Sequence, residues 1–333
     1  MVPLRNVMLQ NKARALSDDV SDDLPVNPLY CILYTLRGEQ LATSTTTDKI
    51  ASLANLLACV SRIEVLFRGT AVLSGSLQDV CVMNALRLGR MPFILNSGDA
   101  ANTALSVTIP IFLGRPRAKG AECFPAVRRG ELTLHRVFAA TSPNLVTTTL
   151  TEQVETVELL DASPSAFLKY VTLSKTFVTT GDNDVDLPLG NPIAGALLFG
   201  TTGFAATTSA ATWKQSKLLV DGVEYLYSLT NWETLHGDLN RRLWLGGDYQ
   251  SHTHTENLAA AYAADVASAK VRGSDGLLAN YAWLDFDPWD DDSMLLDTSG
   301  RGRVHLRVTA GTADAARVMP LELVGVEKQA AAA

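Results

Sequence analysis

The chain has 333 residues, 47% of them hydrophobic and 19% charged, with a formal net charge of −7. That length favours two domains and the composition lies far from the disordered regime. The acidic balance argues against a surface that wraps nucleic acid, because neutralising phosphates needs clustered Lys and Arg.

No apolar run has the length of a membrane-spanning helix, and the N-terminus lacks the apolar core of a signal peptide, so the chain reads as soluble and made in a cytoplasm. Cys31, Cys59, Cys81 and Cys123 show no CxxC spacing and stand among apolar neighbours. They read as buried free thiols rather than a metal site or a disulfide framework.

Residues 1–29 read as an arm. Leu4, Val7, Met8, Ala15 and Leu16 share one helical face with Arg5, Lys12 and Arg14 around them, and Asp18, Asp19, Asp22 and Asp23 end the pattern. A short basic amphipathic helix suits a membrane surface or a neighbouring subunit. Leu4, Arg5, Val7, Met8, Lys12 and Arg14 are therefore the expected contact residues, an N-terminus ordered by its own domain being the plainer alternative.

Residues 30–37 are rich in β formers, and Ile50, Leu53, Leu57 and Val60 are helically spaced. In the stretch 62–88, Ile63, Val65 and Phe67 alternate with Arg62, Glu64 and Arg68, Gly69 supplies a turn, and Ala71, Val72 and Leu73 return as a second strand. Ser76 with Asp79 then resembles a capping box, opening a helix with Leu77, Val80, Cys81, Ala85 and Leu88 on one side. Alternating strands follow over 105–111, where Pro110 marks an edge or bulge, and over 132–137, 146–150 and 154–160.

Beyond Pro164 three β-like runs are separated by turns at Gly181-Asp182-Asn183 and Gly190-Asn191-Pro192, and 200–212 reads as an exposed loop. The pattern of 62–88 then returns. Leu218 and Val220 alternate with Lys217 and Asp221, Gly222 turns the chain, and Tyr225, Leu226 and Tyr227 come back. Thr230 with Glu233 forms a second capping pair before a helix with Trp232, Leu235 and Leu239 inward. An Ala-rich helix is expected over 257–271, then a strand with an acidic turn around Trp283, Asp285, Phe286 and Trp289.

The strand 303–308 echoes 132–137, with Val304 and Leu306 standing where Leu132 and Leu134 stood. The shift is 153 positions from Gly69 to Gly222 and 172 from Leu134 to Leu306, so roughly twenty extra residues separate helix and final strands in the second copy. The pattern predicts a mainly β chain of two tandem eight-stranded jelly-roll β-sandwiches, a double jelly roll, with a few short helices. The expected boundaries are an arm over 1–29, one sandwich over 30–163 and another over 164–333.

The runs Ile63-Glu64-Val65-Leu66-Phe67-Arg68-Gly69 and Lys217-Leu218-Leu219-Val220-Asp221-Gly222, each before a capped helix, carry a resemblance. Phe286-Asp287-Pro288-Trp289 and Leu296-Asp297-Thr298-Ser299-Gly300 add to it. Over about 30–326 the chain resembles the double jelly-roll major capsid proteins of tailless bacterial viruses with an internal membrane, the corticovirus type in particular. The resemblance implies a structural protein of the virion, with no catalytic residue and no cofactor, made in the host cytoplasm. It implies homotrimeric, pseudo-hexagonal capsomers in an icosahedral shell. The implied partners are neighbouring capsomers, penton and minor capsid or membrane proteins, and an internal viral membrane facing the arm, with no specific nucleic-acid binding.

Two other classes of function have residues to offer. His252-Thr253-His254 with Glu256, six residues beyond Gly246, loosely resembles a first cupin motif, which would make the chain a bicupin-like metalloenzyme. Against it, Glu256 follows His254 too closely, a helix stands where a strand is needed, and no second motif is found. A polar loop with Thr255 or Asn257 capping the next helix is the plainer reading. A carbohydrate-binding double sandwich would need Trp213, Trp232 or Trp289 as an exposed platform, yet Trp232 reads as the first buried residue of its helix.

Asp285, Asp287, Asp290, Asp291 and Asp292 offer the oxygens that a structural calcium ion prefers, although the spacing is not that of an EF-hand and a solvated acidic turn is the plainer reading. His135 and His305 are expected on the polar faces of matching strands, with no G-x-S-x-G elbow to make a catalytic set.

Overall fold

The computed structural model describes residues 2–40, 53–92, 94–95, 104–115, 120–141, 145–202, 211–243, 277–278 and 280–326. They divide into two compact units, the first built mainly on Met1–Leu168 and the second on Lys169–Arg242 with Leu278 and the residues after it.

The first unit contains β1 (Val2–Ala13), β2 (Asp19–Asp23), β3 (Leu29–Gln40), α1 (Leu53–Ala58), β4 (Val60–Phe67), β5 (Thr70–Gly75), α2 (Leu77–Leu88), β6 (Ile94–Leu95), β7 (Ala104–Phe112), β8 (Leu132–Phe138) and β9 (Leu145–Leu160). One sheet runs β1-β9-β3-β7-β6, and the other contains β5-β4-β8-β2 in that order. With the two-residue β6 set aside, the strands of one sheet are the first, eighth, third and sixth of the unit. Those of the other are the second, seventh, fourth and fifth.

The chain passes into the second unit within β10 (Ala166–Val171). There follow β11 (Leu173–Thr176), β12 (Gly181–Asp186), β13 (Ile193–Gly200), β14 (Trp213–Val220), β15 (Val223–Glu224), β16 (Thr230–Asn231), α3 (Trp232–Gly237), α4 (Leu239–Arg242), β17 (Tyr281–Asp285), β18 (Val304–Ala310) and β19 (Ala315–Gly325). One sheet has the order β11-β19-β13-β17, the other β12-β18-β14-β15, with β16 also against β14. Counted from β11 and without β16, the ranks match those of the first unit. That order is two Greek keys folded onto each other, so the chain is a double jelly roll.

Alternation builds both cores. Ile63, Val65 and Phe67 of β4 and Leu132, Leu134 and Phe138 of β8 are buried in the first, while Leu218 and Val220 of β14 and Val304, Leu306 and Val308 of β18 are buried in the second. In the second core Trp213 stacks on Trp232 at 6.2 Å and meets Phe177 edge-on at 5.7 Å.

The duplicated hairpins share the same turn. Arg68 and Gly69 have φ of 48° and 81°, and Asp221 and Gly222 have 51° and 84°. Two successive positive φ values make the two-residue turn whose twist suits a hairpin, which is why glycine holds the second place in each. Val65 lies opposite Leu134 and Leu218 opposite Leu306. The 153- and 172-residue shifts thus carry one strand register onto the other. In the second copy the returning strand β15 is short, and the chain continues beside β14 irregularly: Leu218 exchanges backbone bonds with Tyr225 and Tyr227 on either side of Leu226, whose φ is 58°.

Ser76 caps α2 by accepting the Asp79 N–H at 3.1 Å, and left-handed Gly89 closes it. At α3 the cap is Asn231 rather than Thr230, with no side-chain cap bond. Thr230 is occupied in β16 opposite Ser216 and donates its hydroxyl to Ser228 O at 2.7 Å.

Residues 1–29 are not an arm. β1 pairs with β9, in unbroken register from Val2 opposite Leu160 to Val7 opposite Glu155, and β2 pairs with β8. They are the first and second strands of the first sandwich, so its expected start at 30 moves back to β1. An isolated helix of this length is marginal, whereas the side of β9 away from β3 satisfies a whole row of backbone groups. Residues 145–160 likewise form one strand instead of two. Pro110 lies opposite Leu33, beyond the part of β7 that β6 covers, as an edge proline does.

The 200–212 stretch is not wholly exposed. Ala211 and Thr212 are buried, and Thr202 and Thr212 exchange hydrogen bonds of 2.9 Å, the Thr202 N–H to Thr212 Oγ1 and the Thr212 N–H to Thr202 O. The expected helix over 257–271 lies outside the described residues.

Candidate functional site

The acidic turn after β17 is organised by a guanidinium. Arg242, at the end of α4, grips Asp285 with Nε to Oδ2 at 2.6 Å and Nη2 to Oδ1 at 2.7 Å, donates to the carbonyl of Asp287, and lies 3.5 Å from Asp290. Fully buried Asp287 accepts the backbone N–H groups of Asp291 at 3.1 Å and Asp292 at 3.2 Å, and Asp291 accepts from Ser293. The carboxylates that would gather a calcium ion thus surround Arg242 and turn amides. Among the described residues no group of three or more His, Cys, Asp or Glu is placed to hold a metal ion. His252, His254 and Glu256 lie outside the described residues.

The two histidines differ. His135 lies across β4 and β2, with Nδ1 2.8 Å from Glu64 and Nε2 2.5 Å from Asp19, while Ser74 donates to the other oxygen of Glu64 at 2.7 Å. Partial burial pulls the His135 pKa down, but the bonds to Glu64 and Asp19 outweigh it and hold it above the usual histidine value. Partial burial pushes Glu64 up, and its bonds to His135 and Ser74 overcome that and lower it.

His305 is not on an exposed polar face. It is 3% exposed, both ring nitrogens are buried without a hydrogen bond, and Asp184 stands 3.6 Å from Nε2. Burial, then the charge of Arg303, lowers its pKa. Nor is it the counterpart of His135. That place belongs to Arg307, which lies opposite Lys217 as His135 lies opposite Glu64.

All four cysteines are buried and none forms a disulfide. Burial pushes the Cys31 and Cys81 thiols up to about 12, far from the reactive range. Trp213 and Trp232 are consumed by the core and Trp289 is exposed, so the three do not form a sugar platform.

One charged cluster sits inside the first sandwich. Arg136 of β8 and Glu152 of β9, both inaccessible to solvent, pair at 2.7 Å between the two sheets. Arg14 Nε reaches Glu152 at 2.6 Å, Tyr34 Oη at 2.9 Å, and Asp22 accepts from Arg136 at 2.6 Å. Its sequence signal is parity: Arg136 shares the face of Leu132, Leu134 and Phe138. Arg14, expected as a contact residue, is committed here. Leu4, Arg5, Val7, Met8 and Lys12 lie on the edge strand β1, where Leu4, Arg5, Val7 and Lys12 are exposed and Arg5 bonds Glu155. No described helix is long and apolar enough to cross a membrane.

No family model matches the sequence, and no curated protein matches it. Solved structures do match along the whole chain. The major capsid protein P2 of bacteriophage PM2 has a TM-score of 0.60 at 11% identity, with 97% of this chain and 98% of that one covered. The MCP of STIV gives 0.67 at 13% with both chains fully covered, and the capsid of PBCV-1 gives 0.59 at 10% with 97% and 93% covered. These are double jelly-roll major capsid proteins, PM2 being a corticovirus, and the likeness is one of fold.

Proposed function

We propose that this chain is the major capsid protein of an icosahedral virus and acts by assembly rather than by catalysis. One observation carries the reading: the described strands form two sandwiches of identical strand order, and full-length coverage by capsid proteins accompanies that order. A chain with two near-equivalent sandwiches turns a homotrimer into a body with six similar flanks, which tiles a hexagonal net. The subunit is then made in the host cytoplasm and resides in the virion. Its neighbours are other capsomers, penton and minor capsid or membrane proteins, over an internal membrane.

The test is mass determination of the purified chain together with electron microscopy of the particles it forms. A trimer that assembles into closed shells is expected. A chain that stays monomeric at high concentration and forms no particle would overturn the reading.

A further inference from the structure

An asparagine stands beside a buried glutamate in each sandwich, and 131 residues separate the two in both cases. In the first, Asn27 Nδ2 donates to Glu158 Oε2 at 2.6 Å and Thr156 donates to the other oxygen at 3.2 Å. In the second, Asn191 Nδ2 donates to Glu322 Oε2 at 2.8 Å. A proline follows each asparagine, and its carbonyl accepts the N–H of the residue after the glutamate at 2.9 Å, Leu159 to Pro28 and Leu323 to Pro192. Glu158 is 1% exposed and Glu322 3%.

One group breaks the equivalence. Lys169 of β10 brings Nζ to 3.1 Å from Glu322 Oε1, whereas Leu4 of β1 lies opposite Glu158. The first pair shows a buried glutamate satisfied by a carboxamide and a hydroxyl, so the amine in the second is an addition to the motif. Glu322 belongs to β19, which lies between β10 and β13 in the sheet. One of its oxygens holds an amine from β10, and the other holds a carboxamide at the head of β13. That carboxamide is well anchored, since the Asn191 carbonyl accepts the hydroxyl of buried Thr298 at 2.7 Å.

We infer that Lys169 and Asn191 join in an intramolecular isopeptide bond, with Glu322 as the catalytic residue. Glu322 takes a proton from the Lys169 ammonium, and the freed Nζ adds to Cγ of Asn191. The carboxyl group returns the proton to Nδ2, the Cγ–Nδ2 bond breaks, and ammonia departs. One carbon–nitrogen bond forms and one breaks, nothing is oxidised, and the second proton shed by Nζ leaves with the ammonia as ammonium. An amide is a poor electrophile in water, but holding amine, carboxamide and proton carrier in one place supplies what dilute reactants lack. The Lys169 side chain is 31% exposed, which gives the ammonium a way out. The bond ties β10 to the start of β13 across β19, and the first sandwich, without the amine, forms none.

The intact mass of the full-length chain, measured after denaturation, is the test. The parent is expected to be lighter than its sequence by one ammonia. Its tryptic digest should contain a branched peptide, uncut after Lys169 and joined to the segment that holds Asn191. Lys169→Arg, which keeps a cation on Glu322, and Glu322→Gln, which removes the proton carrier, should each show the full sequence mass and no branched peptide. Circular dichroism of Lys169→Arg that matches the parent's separates loss of the bond from loss of the fold. A parent at full sequence mass overturns the inference, as does a missing ammonia with no branched peptide, which is the mark of a cyclised asparagine. A branched peptide that persists in Glu322→Gln overturns the role given to Glu322.

Discussion

Arg136 and Glu152 lie 2.7 Å apart between the two sheets of the first sandwich, one from each sheet, and neither side chain reaches water. With Arg14 on the same carboxylate, removing Glu152 leaves two guanidinium groups without their shared partner. Glu152→Ala should cost about 3–5 kcal/mol. Glu152→Gln, which keeps an acceptor for Tyr34, should cost less. Urea unfolding measures both, and a loss under about 1 kcal/mol for the alanine variant would refute the network's importance.

His135 ties β2, β4 and β8 together, and its contribution depends on pH. Its native pKa is raised above 6.5, so the stability it brings is complete below 6.5 and is lost as pH rises through the raised value. Glu64, lowered below 4.5, contributes above 4.5 and loses that contribution as pH falls through its lowered value. The melting-temperature gap between the parent and His135→Gln should therefore be widest between these limits and narrow above pH 6.5. A gap independent of pH would sink the clamp.

His305 has the opposite sign. Its native pKa lies below 6.5, so the unfolded chain takes up the proton first and stability falls as pH drops from 6.5 toward that lower value. His305→Leu should flatten this acid limb in scanning calorimetry, and an unchanged limb would contradict a buried neutral ring.

Arg242 stands where a cation would neutralise Asp285 and Asp290, and it also binds the backbone carbonyl of Asp287. Two outcomes follow from that geometry. EDTA should leave the parent's melting temperature unchanged, and Arg242→Ala should expose the turn 286–295 to limited proteolysis. A melting temperature that drops on chelation and recovers with calcium would show that the turn holds an ion.

Gly69 and Gly222 have the same positive φ and open space where a Cβ would go. Alanine at either site meets no clash but must hold a left-handed backbone, at a cost of about 1–2 kcal/mol. Equal losses from Gly69→Ala and Gly222→Ala would measure the equivalence of the two hairpins, and unequal ones would deny it.

What the sequence displayed was local or repeated. Alternation marked β4, β8, β14 and β18, glycines marked the turns, and two sequence shifts sufficed to align Val65–Leu134 with Leu218–Leu306. The first two strands were hidden because the partner of Val2 is Leu160, and no nearby residue announces so distant a pairing. A short window of Leu and Val at helical spacing fits a strand equally well when charges fall between. His305 was misplaced because His135 and His305 look alike in sequence, while the register sets His135 against Arg307. The sequence reads Tyr225, Leu226 and Tyr227 as the returning strand, whereas in the structure the strand proper is Val223–Glu224, with left-handed Leu226 exposed and Tyr227 packed on Phe286.

The pairing of β1 with β9 also sets a schedule for biosynthesis. Val2 is translated 158 residues before its partner Leu160, a wait on the order of ten seconds or more at usual elongation rates. Through that interval both sides of the strand are bare and its apolar side chains are open to any passing nascent chain. Crowded polysomes would therefore be the setting in which this chain misassembles, and holding β1 until Leu160 emerges is a task for chaperones.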